Sequence, residues 1–152
     1  SGSLNHQREG SISNAHVGRA FEELVLDYFQ KDGLQIYSHI TIPIGIEGKR
    51  KKPKQFDMGD YDSKIIIECK AHTWSITDKV PTGKLSKWDS EMFNFFLAPS
   101  EYRKLFIVQR DFSKKRQMTL AEYYVEKNSH LIPKDVEFYE FDIRNNVIER
   151  LL

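Results

Sequence analysis

The sequence predicts an α/β domain in which a mixed central β-sheet is flanked by helices. Apolar residues recur at helical spacing over 15–30 and again over 82–97. Runs of β-branched and aromatic residues between and after these stretches predict five strands. The predicted order is helix, three strands, helix, strand, helix, strand. That order suits a mixed sheet with helical layers on its faces.

The first half of the chain supplies one helix and three strands. The helix is predicted over Ala15–Gln30, with Asn14 as its N-cap. A strand over Leu34–Ile46 follows, rich in Ile, Tyr and Thr. Gln55–Gly59 and Lys64–His72 are separated by a short polar turn, so we expect them to form a hairpin whose second strand is buried.

The second half supplies two helices and two strands. Thr82 is predicted to cap a helix that ends before the next proline. Leu105–Val108 reads as a buried strand, and Thr119 with Glu122 makes a capping box for a helix to about residue 128. Val136–Ile143 alternates like a last strand. The expected apolar stripe of the helix from Thr82 consists of Leu85, Trp88, Met92, Phe95 and Phe96.

Length and composition exclude several classes of protein. The chain has 152 residues, the size of one domain, and we predict a flexible lead-in over 1–13 and a single domain over 14–152. One cysteine, Cys69, excludes an internal disulfide framework and indicates a reducing compartment, so we expect a cytoplasmic protein. No apolar run approaches the roughly 20 residues that span a bilayer, so we expect no membrane partner.

The charge is balanced overall but segregated locally. With 23 basic and 22 acidic side chains the formal net charge is +1, which argues against a uniformly basic nucleic-acid binder and against an acidic disordered chain. Five of the six residues over 49–54 are basic. This run is either a solvated loop or, beside a suitable site, a clamp for phosphates.

The most informative feature of the sequence is the change from apolar to charged residues at the end of one predicted strand. Ile65, Ile66 and Ile67 lead directly into Glu68-Cys69-Lys70. Because strand side chains alternate, Glu68 and Lys70 share a face and His72 continues it. Charged residues are seldom buried without partners, so this end of the strand is a candidate site.

A second and a third acid are predicted to converge on it. Asp57 lies on the partner strand, eleven residues before Glu68, and the turn folds it back. On the first helix Glu22 flanks the apolar stripe that contains Phe21, Val25, Leu24 and Tyr28, whereas Glu23 points away. Gly18, one turn earlier, would let the helix approach another backbone closely. Two carboxylates beside a lysine suit a divalent cation and the hydrolysis of a phosphodiester.

Asp57, Glu68-Cys69-Lys70 and the first-helix Glu22 with Gly18 resemble the PD-(D/E)XK nuclease superfamily, which has the restriction-endonuclease-like fold. The resemblance covers roughly residues 14–111 and implies an α-β-β-β-α-β core. The sequence has Phe56 where the pattern often has proline. A glutamine motif of some branches has no match over 82–97, where Lys84 or Lys87 would stand in.

The resemblance implies a Mg²⁺-dependent DNA endonuclease, with Mn²⁺ as a substitute, acting on DNA rather than RNA as a homodimer. It implies that Asp57 and Glu68 bind the metal together with the Cys69 carbonyl, that Lys70 is catalytic, and that Glu22 assists. Restriction, junction-resolving and repair roles stay open. The residues predicted to bind nucleic acid are Lys49, Arg50, Lys51, Lys52, Lys54, Lys84 and Lys87.

Less specific interpretations stay open beside this one. Glu-x-Lys is a weak pattern, because Glu47-Gly48-Lys49 repeats it in a basic loop. Glu68 and Lys70 would also suit an ordinary ion pair at a strand end. The fold would also suit a non-catalytic nucleic-acid-binding or interaction module. Trp88 is expected in the core, whereas Trp74 is either packed or free to stack on bases.

Overall fold

The computed structural model describes residues 2–152 and the side chains from residue 15 onward. Its helices are α1 (Gly2–Lys31), α2 (Thr82–Leu97) and α3 (Leu120–Asn128), with short 3-10 turns at Gly48–Arg50 and Ser129–Leu131. Its strands are β1 (Tyr37–Ile44), β2 (Lys52–Asp60), β3 (Ile65–Lys70), β4 (Arg103–Gln109), β5 (Phe112–Ser113), β6 (Met118–Thr119), β7 (Val136–Asp142) and β8 (Val147–Arg150).

Six strands form one mixed sheet in the order β1-β2-β3-β4-β7-β8, and β5 pairs with β6 separately. The central strands β3, β4 and β7 are parallel, whereas β1, β2 and β8 join antiparallel. The predicted mixed α/β sheet is therefore confirmed. Helix α1 begins at Gly2, so the predicted N-cap Asn14 is wrong, because it lies within the helix. The division of the chain into a lead-in over 1–13 and a single domain stays a prediction.

The two faces of the sheet carry different helices. On one face Phe21, Val25 and Phe29 of α1 pack in a cluster with Ile67 and Cys69 of β3. On the other face α2 and α3 pack in a larger cluster with side chains such as Ile66 and Phe106. We call these the α1 face and the α2 face. None of the described helices combines the length and the apolar character that crossing a bilayer requires.

Several local predictions need correction. Leu24 and Phe96 are exposed, because each lies one residue, about 100° of turn, from the buried lines of its helix. Pro81, rather than Thr82, is the N-cap of α2. The predicted basic loop is a 3-10 turn followed by the start of β2, which begins at Lys52. The sequence did not predict β5, β6 and β8, because each has at most four residues and is too short to show a strand pattern.

The capping box of α3 is confirmed. The Glu122 backbone N–H donates to Thr119 Oγ1 at 3.1 Å, and the Thr119 N–H donates to Glu122 Oε1 at 2.9 Å. These bonds satisfy two amide groups that a helix start otherwise leaves without partners. The helix ends at Asn128, as predicted.

The pairing of β2 with β3 is short, and it ends where the candidate site begins. Three residues of β2, from Met58 to Asp60, pair with β3, and the tight approach requires Gly59, whose added Cβ would lie 2.2 Å from the Ile65 carbonyl oxygen. Before Met58, β2 pairs only with β1. The two strands therefore diverge at Asp57, and we call this point the fork.

Candidate active site at the fork

Strand β3 sends its polar side chains to the α2 face and its apolar ones to the α1 face near the fork. Cys69 is buried among the α1 residues, whereas Glu68, 3% exposed, meets Glu91 of α2. His72 continues on the α2 face, where the Trp88 Nε1–H donates to His72 Nδ1 at 2.8 Å. The predicted alternation is therefore confirmed. Lys70 is half-buried at the strand end.

Two carboxylates take the place of backbone pairing at the fork. The Asp57 N–H donates to Glu68 Oε1 at 3.1 Å, and the Cys69 N–H donates to Asp57 Oδ2 at 2.8 Å. Each strand thus supplies an acid that binds the backbone of the other strand. The structure places Asp57 and Glu68 side by side, and the backbone bonds fix both side chains.

An irregularity in β2 directs Asp57 toward helix α1. Phe56 packs on the α2 face and Met58 on the α1 face, although residues two apart in a regular strand point to the same side. His39, which lies opposite Asp57 in the β1 register, has a φ of 62°. The strands thus change face at this point, and Asp57 lies at the change.

Glu22 is the third acid of the site. Burial, the charge of Asp57 and a hydrogen bond with Asp57 raise the pKa of Glu22 to about 7. Lys70 and Arg19 oppose this shift. Because two carboxyl groups share a hydrogen bond here, one of them holds a proton until the solution is near neutral. Glu23 is exposed, so the predicted inward choice of Glu22 over Glu23 is confirmed.

A fourth acid, Glu91 on α2, was not among the predicted site residues. It is 8% exposed and shares a hydrogen bond with Glu68. Burial, this hydrogen bond and the charge of Asp57 raise the pKa of Glu68 well above its usual range. Burial also raises the pKa of Glu91, but the bond to Glu68 and the charges of Lys70 and Lys54 lower it on balance. Glu91 lies three residues after Trp88 and four before Phe95, which places it on the buried stripe of α2. This spacing is the sequence signal that could have identified it.

Lys54, one of the residues predicted to bind nucleic acid, lies beside two buried acids of the fork. Its ammonium group lies 4.0 Å from Glu68 Oε1 and 3.9 Å from Glu91 Oε1, and its side chain is 27% exposed. The two buried acids attract its ammonium group inward, and its contact with nucleic acid stays a prediction. Among the described side chains, the ion-pair partner of Glu68 is thus Lys54 and not Lys70. The ordinary strand-end ion pair of Glu68 with Lys70 is therefore not observed.

Two hollows open on the site from either side of Glu22. The smaller, about 160 Å³, is lined by residues that include Arg19, Glu22, His39 and Asp57. The larger is a groove of about 640 Å³. Its polar lining includes Glu22, Lys70, His72, Lys84 and Lys87. Glu68 lines neither hollow and is buried within the fork.

The groove brings together three of the predicted basic residues. Lys84 and Lys87 are exposed on the first turns of α2, and Lys70 faces them from β3. Burial and then the charges of these three lysines lower the pKa of His72 to about 4, so His72 is neutral at physiological pH. The positive charge of the groove therefore comes from lysines, which suits an anionic ligand.

The expectation for Gly18 is wrong, and the structure decides between the two alternatives for Trp74. Gly18 lines the groove, but an added Cβ there would meet no atom within 4 Å, so it does not mark a close helix contact. Trp74 is 6% exposed, with the Arg116 guanidinium 4.8 Å from its ring centre and Tyr123 packed against it. Trp74 is thus unable to stack on a base. Trp88 is fully buried, as predicted.

The acids of the fork suit a hard cation in kind, although they do not form a complete set of ligands. Within the described residues no group of three or more His, Cys, Asp and Glu side chains is arranged to hold a metal ion. Mg²⁺ often takes only one or two carboxylates and completes its shell with water and phosphate. Burial, and after it the nearby charge of Asp57, raises the pKa of both Glu22 and Glu68, and a cation would offset the negative charge gathered here.

No protein-family model, curated protein or solved structure matches the chain. The geometry of the fork and of the groove is therefore the basis for any functional conclusion.

The pKa of Glu22 predicts how stability depends on pH in the absence of divalent cations. Because this pKa is raised from 4.5 to about 7, the protonated folded state contributes stability below about pH 4.5 that is lost as pH rises through 7. Glu22→Gln carries no titrating group at this position. Between about pH 5 and about pH 8 its free energy of unfolding should therefore fall less than that of the wild type. The difference should be about 1 kcal/mol after solvent screening of the half-buried carboxyl. Urea unfolding in EDTA at about pH 5 and about pH 8 measures the difference.

The exposed neighbour supplies the control for this measurement. Glu23→Gln changes the same side-chain type on the same helix, and its pH profile should follow that of the wild type. Equal losses of stability in Glu22→Gln and in the wild type would contradict the assignment of the raised pKa to Glu22.

Proposed function

We propose that the protein is a metal-dependent endonuclease that hydrolyses phosphodiester bonds in DNA, built on a restriction-endonuclease-like core. The observation that carries the proposal is the fork, where Asp57 and Glu68 are fixed beside each other and next to Lys70 and Glu22. The element order α1-β1-β2-β3-α2-β4 also agrees with the core that the resemblance implies.

The roles proposed for the side chains follow from their positions. Asp57 and Glu68, with the Cys69 carbonyl, would hold Mg²⁺ or Mn²⁺, which would polarise the phosphate and lower the pKa of a bound water. Lys70, at the open end of β3, would orient the attacking water and offset developing charge. Glu22 faces Asp57 and lies near Lys70, so it would keep both groups in position.

The groove would hold the substrate strand. Lys84 and Lys87 extend the positive charge of Lys70 along α2, and their exposed ammonium groups would bind phosphates on either side of the cleaved bond. A homodimer is part of the proposal, because small members of the family that the sequence resembles often cleave both strands as homodimers. Size-exclusion chromatography with light scattering tests the dimer.

A non-catalytic nucleic-acid-binding module is the second candidate, and one observation favours it. Glu68 is buried, hydrogen-bonded to Glu91 and paired with Lys54. Its carboxyl group therefore already has polar partners within the protein. In such a module the fork would be a structural junction, and the lysines of the groove would still bind phosphates.

Cleavage assays separate the two candidates. Supercoiled plasmid and single-stranded DNA are incubated with the purified protein in Mg²⁺, in Mn²⁺ and in EDTA. The endonuclease proposal expects nicked or linear plasmid with either metal and none with EDTA. DNA binding without cleavage in either metal would refute it and support the binding module.

A further inference from the structure

The β1–β2 hairpin extends beyond the fork as a separate two-stranded element. Ile40–Ile44 pairs with Lys52–Phe56 in continuous register, and none of these residues pairs with β3. We call these two segments with their connection, residues 40–56, the arm, and residues 45–52, the connection with the first residue of β2, its tip. Because β2 runs antiparallel to β3, the arm projects past the carboxyl end of β3, the edge on which Lys70 lies.

The arm is held rigidly along one side. Ile40, Ile42 and Phe56 are buried in the cluster of the α2 face, and the Gly45 N–H donates to the Leu97 carbonyl at the end of α2 at 3.1 Å. Gly45 has a φ of 142°, and its added Cβ would lie 3.0 Å from Lys51 Cα. Glycine is therefore required where the tip leaves the paired strands, and the tip has a defined position relative to the fork.

The tip carries a concentrated positive charge that the site does not use. Lys49, Arg50, Lys51 and Lys52 are all exposed. Glu47 is the one acid of the segment 46–52, and it lies 3.6 Å from Arg50 in an exposed ion pair. Exposed pairs of this kind are weak and are screened by salt. Three cations of this segment thus have no acid of the same segment to neutralise them.

The paired strands of the arm set the separation between the fork and the tip. Five residues separate Lys52 from Asp57, and at about 3.3 Å per strand residue they span roughly 17 Å. Base pairs of B-form DNA rise by about 3.4 Å each, so the tip would lie about five base pairs from a phosphate at the fork.

The shape of the arm favours DNA over RNA. A two-stranded β-ribbon fits the major groove of B-form DNA, which is about 12 Å wide. The major groove of an A-form RNA duplex is too deep and narrow to admit such an element. A flexible single strand offers no groove and no second row of phosphates at a fixed distance.

We propose that the arm binds double-stranded DNA and that its tip contacts the phosphates of one groove about five base pairs from the phosphate at the fork. This inference rests on the proposed function for the position of the cleaved phosphate, and it names duplex DNA as the substrate. Lys51 and Lys52 supply contacts to the phosphate backbone of the DNA. The two paired strands of the arm enter the groove beside these phosphates.

Binding measurements in EDTA test the arm without cleavage. Fluorescence anisotropy compares a labelled DNA duplex, the same DNA as a single strand, and an RNA duplex of that sequence. The wild type should bind the DNA duplex most tightly. The double variant Lys51→Ala/Lys52→Ala should bind the DNA duplex about 10-fold less tightly, and the slope of log K against log salt should fall by about 2, or roughly 0.9 per lost phosphate contact.

Lys127→Ala/Lys134→Ala is the matched control. Both lysines are exposed, and Lys134 lies just before β7, at the opposite edge of the sheet from Lys70. This variant should keep the wild-type affinity and salt slope. An arm variant that binds the DNA duplex like the wild type, or that weakens binding of all three nucleic acids equally, would overturn the inference.

The binding and cleavage measurements distinguish a failure of the inference about the arm from a failure of the proposed nuclease function. Loss of duplex binding in the arm variant, with a wild type that cleaves nothing in Mg²⁺ or Mn²⁺, would support the arm and refute the nuclease. If the wild type cleaves DNA and the arm variant binds the DNA duplex as tightly as the wild type, only the inference about the arm is refuted. If both hold, duplexes with fewer than about five base pairs beside the cut should show a raised KM with little change in kcat.

Discussion

Lys70→Met is expected to reduce DNA cleavage at least about 100-fold while the protein stays folded. Lys70 is half-buried where β3 opens into the groove, near the carboxyl groups of Glu22 and Glu91. Methionine keeps the length of the side chain and removes its charge, so the loss measures the ammonium group. Initial rates of plasmid nicking in Mg²⁺ give the effect, and circular dichroism verifies the fold.

A second lysine of the same hairpin serves as its control. Lys64 lies in the turn just before β3, exposed, with its ammonium group 5.5 Å from the Tyr102 ring centre. Lys64→Met should retain nearly full activity because it is at the opposite end of the strand from the fork. Retention of more than about a tenth of the wild-type rate by Lys70→Met would contradict the catalytic role of Lys70.

Asp57→Asn is expected to change activity and stability in opposite directions. The variant removes a charge from the proposed metal site, so cleavage should fall at least about 100-fold. The same charge helps to raise the pKa of both Glu22 and Glu68, so its removal relieves repulsion at neutral pH. Because the amide oxygen of Asn still accepts from the Cys69 N–H, the free energy of unfolding in EDTA should rise by about 1 kcal/mol.

Urea unfolding and nicking rates measured on the same preparation test this pair of effects. Asp62→Asn, in the exposed turn between β2 and β3, is the matched control and should change neither quantity appreciably. A loss of both activity and stability in Asp57→Asn would show that Asp57 is a structural strand-pairing group instead.

Local patterns in the sequence predicted the parts of the fold that depend on neighbours in the chain. The capping box of Thr119 and Glu122 is an example, because both partners lie within one helical turn. The alternation that sends Glu68 and His72 to the α2 face follows from strand geometry alone. The convergence of Asp57 on Glu68 also follows from a short hairpin, whose two strands leave few possible registers.

Contacts between distant segments escaped prediction for a physical reason. Lys54 turns inward because Glu68 and Glu91 are both buried beside it, and nothing within its own basic run indicates them. The change of face between Phe56 and Met58 coincides with the unusual backbone of His39 on another strand. Charge and backbone geometry at the fork are therefore set by three segments together, whereas periodicity describes one segment at a time.

At the fork two backbone amides donate hydrogen bonds to carboxylates, so these amides are sensitive to the ionisation of the site. The N–H groups of Asp57 and Cys69 are protected by carboxylates, Glu68 and Asp57, instead of by the carbonyl groups of a ladder. A proton or a cation that engages these carboxylates competes directly with the amides for the same oxygens. The rates of hydrogen–deuterium exchange at these two positions thus record occupancy of the site, independently of any turnover.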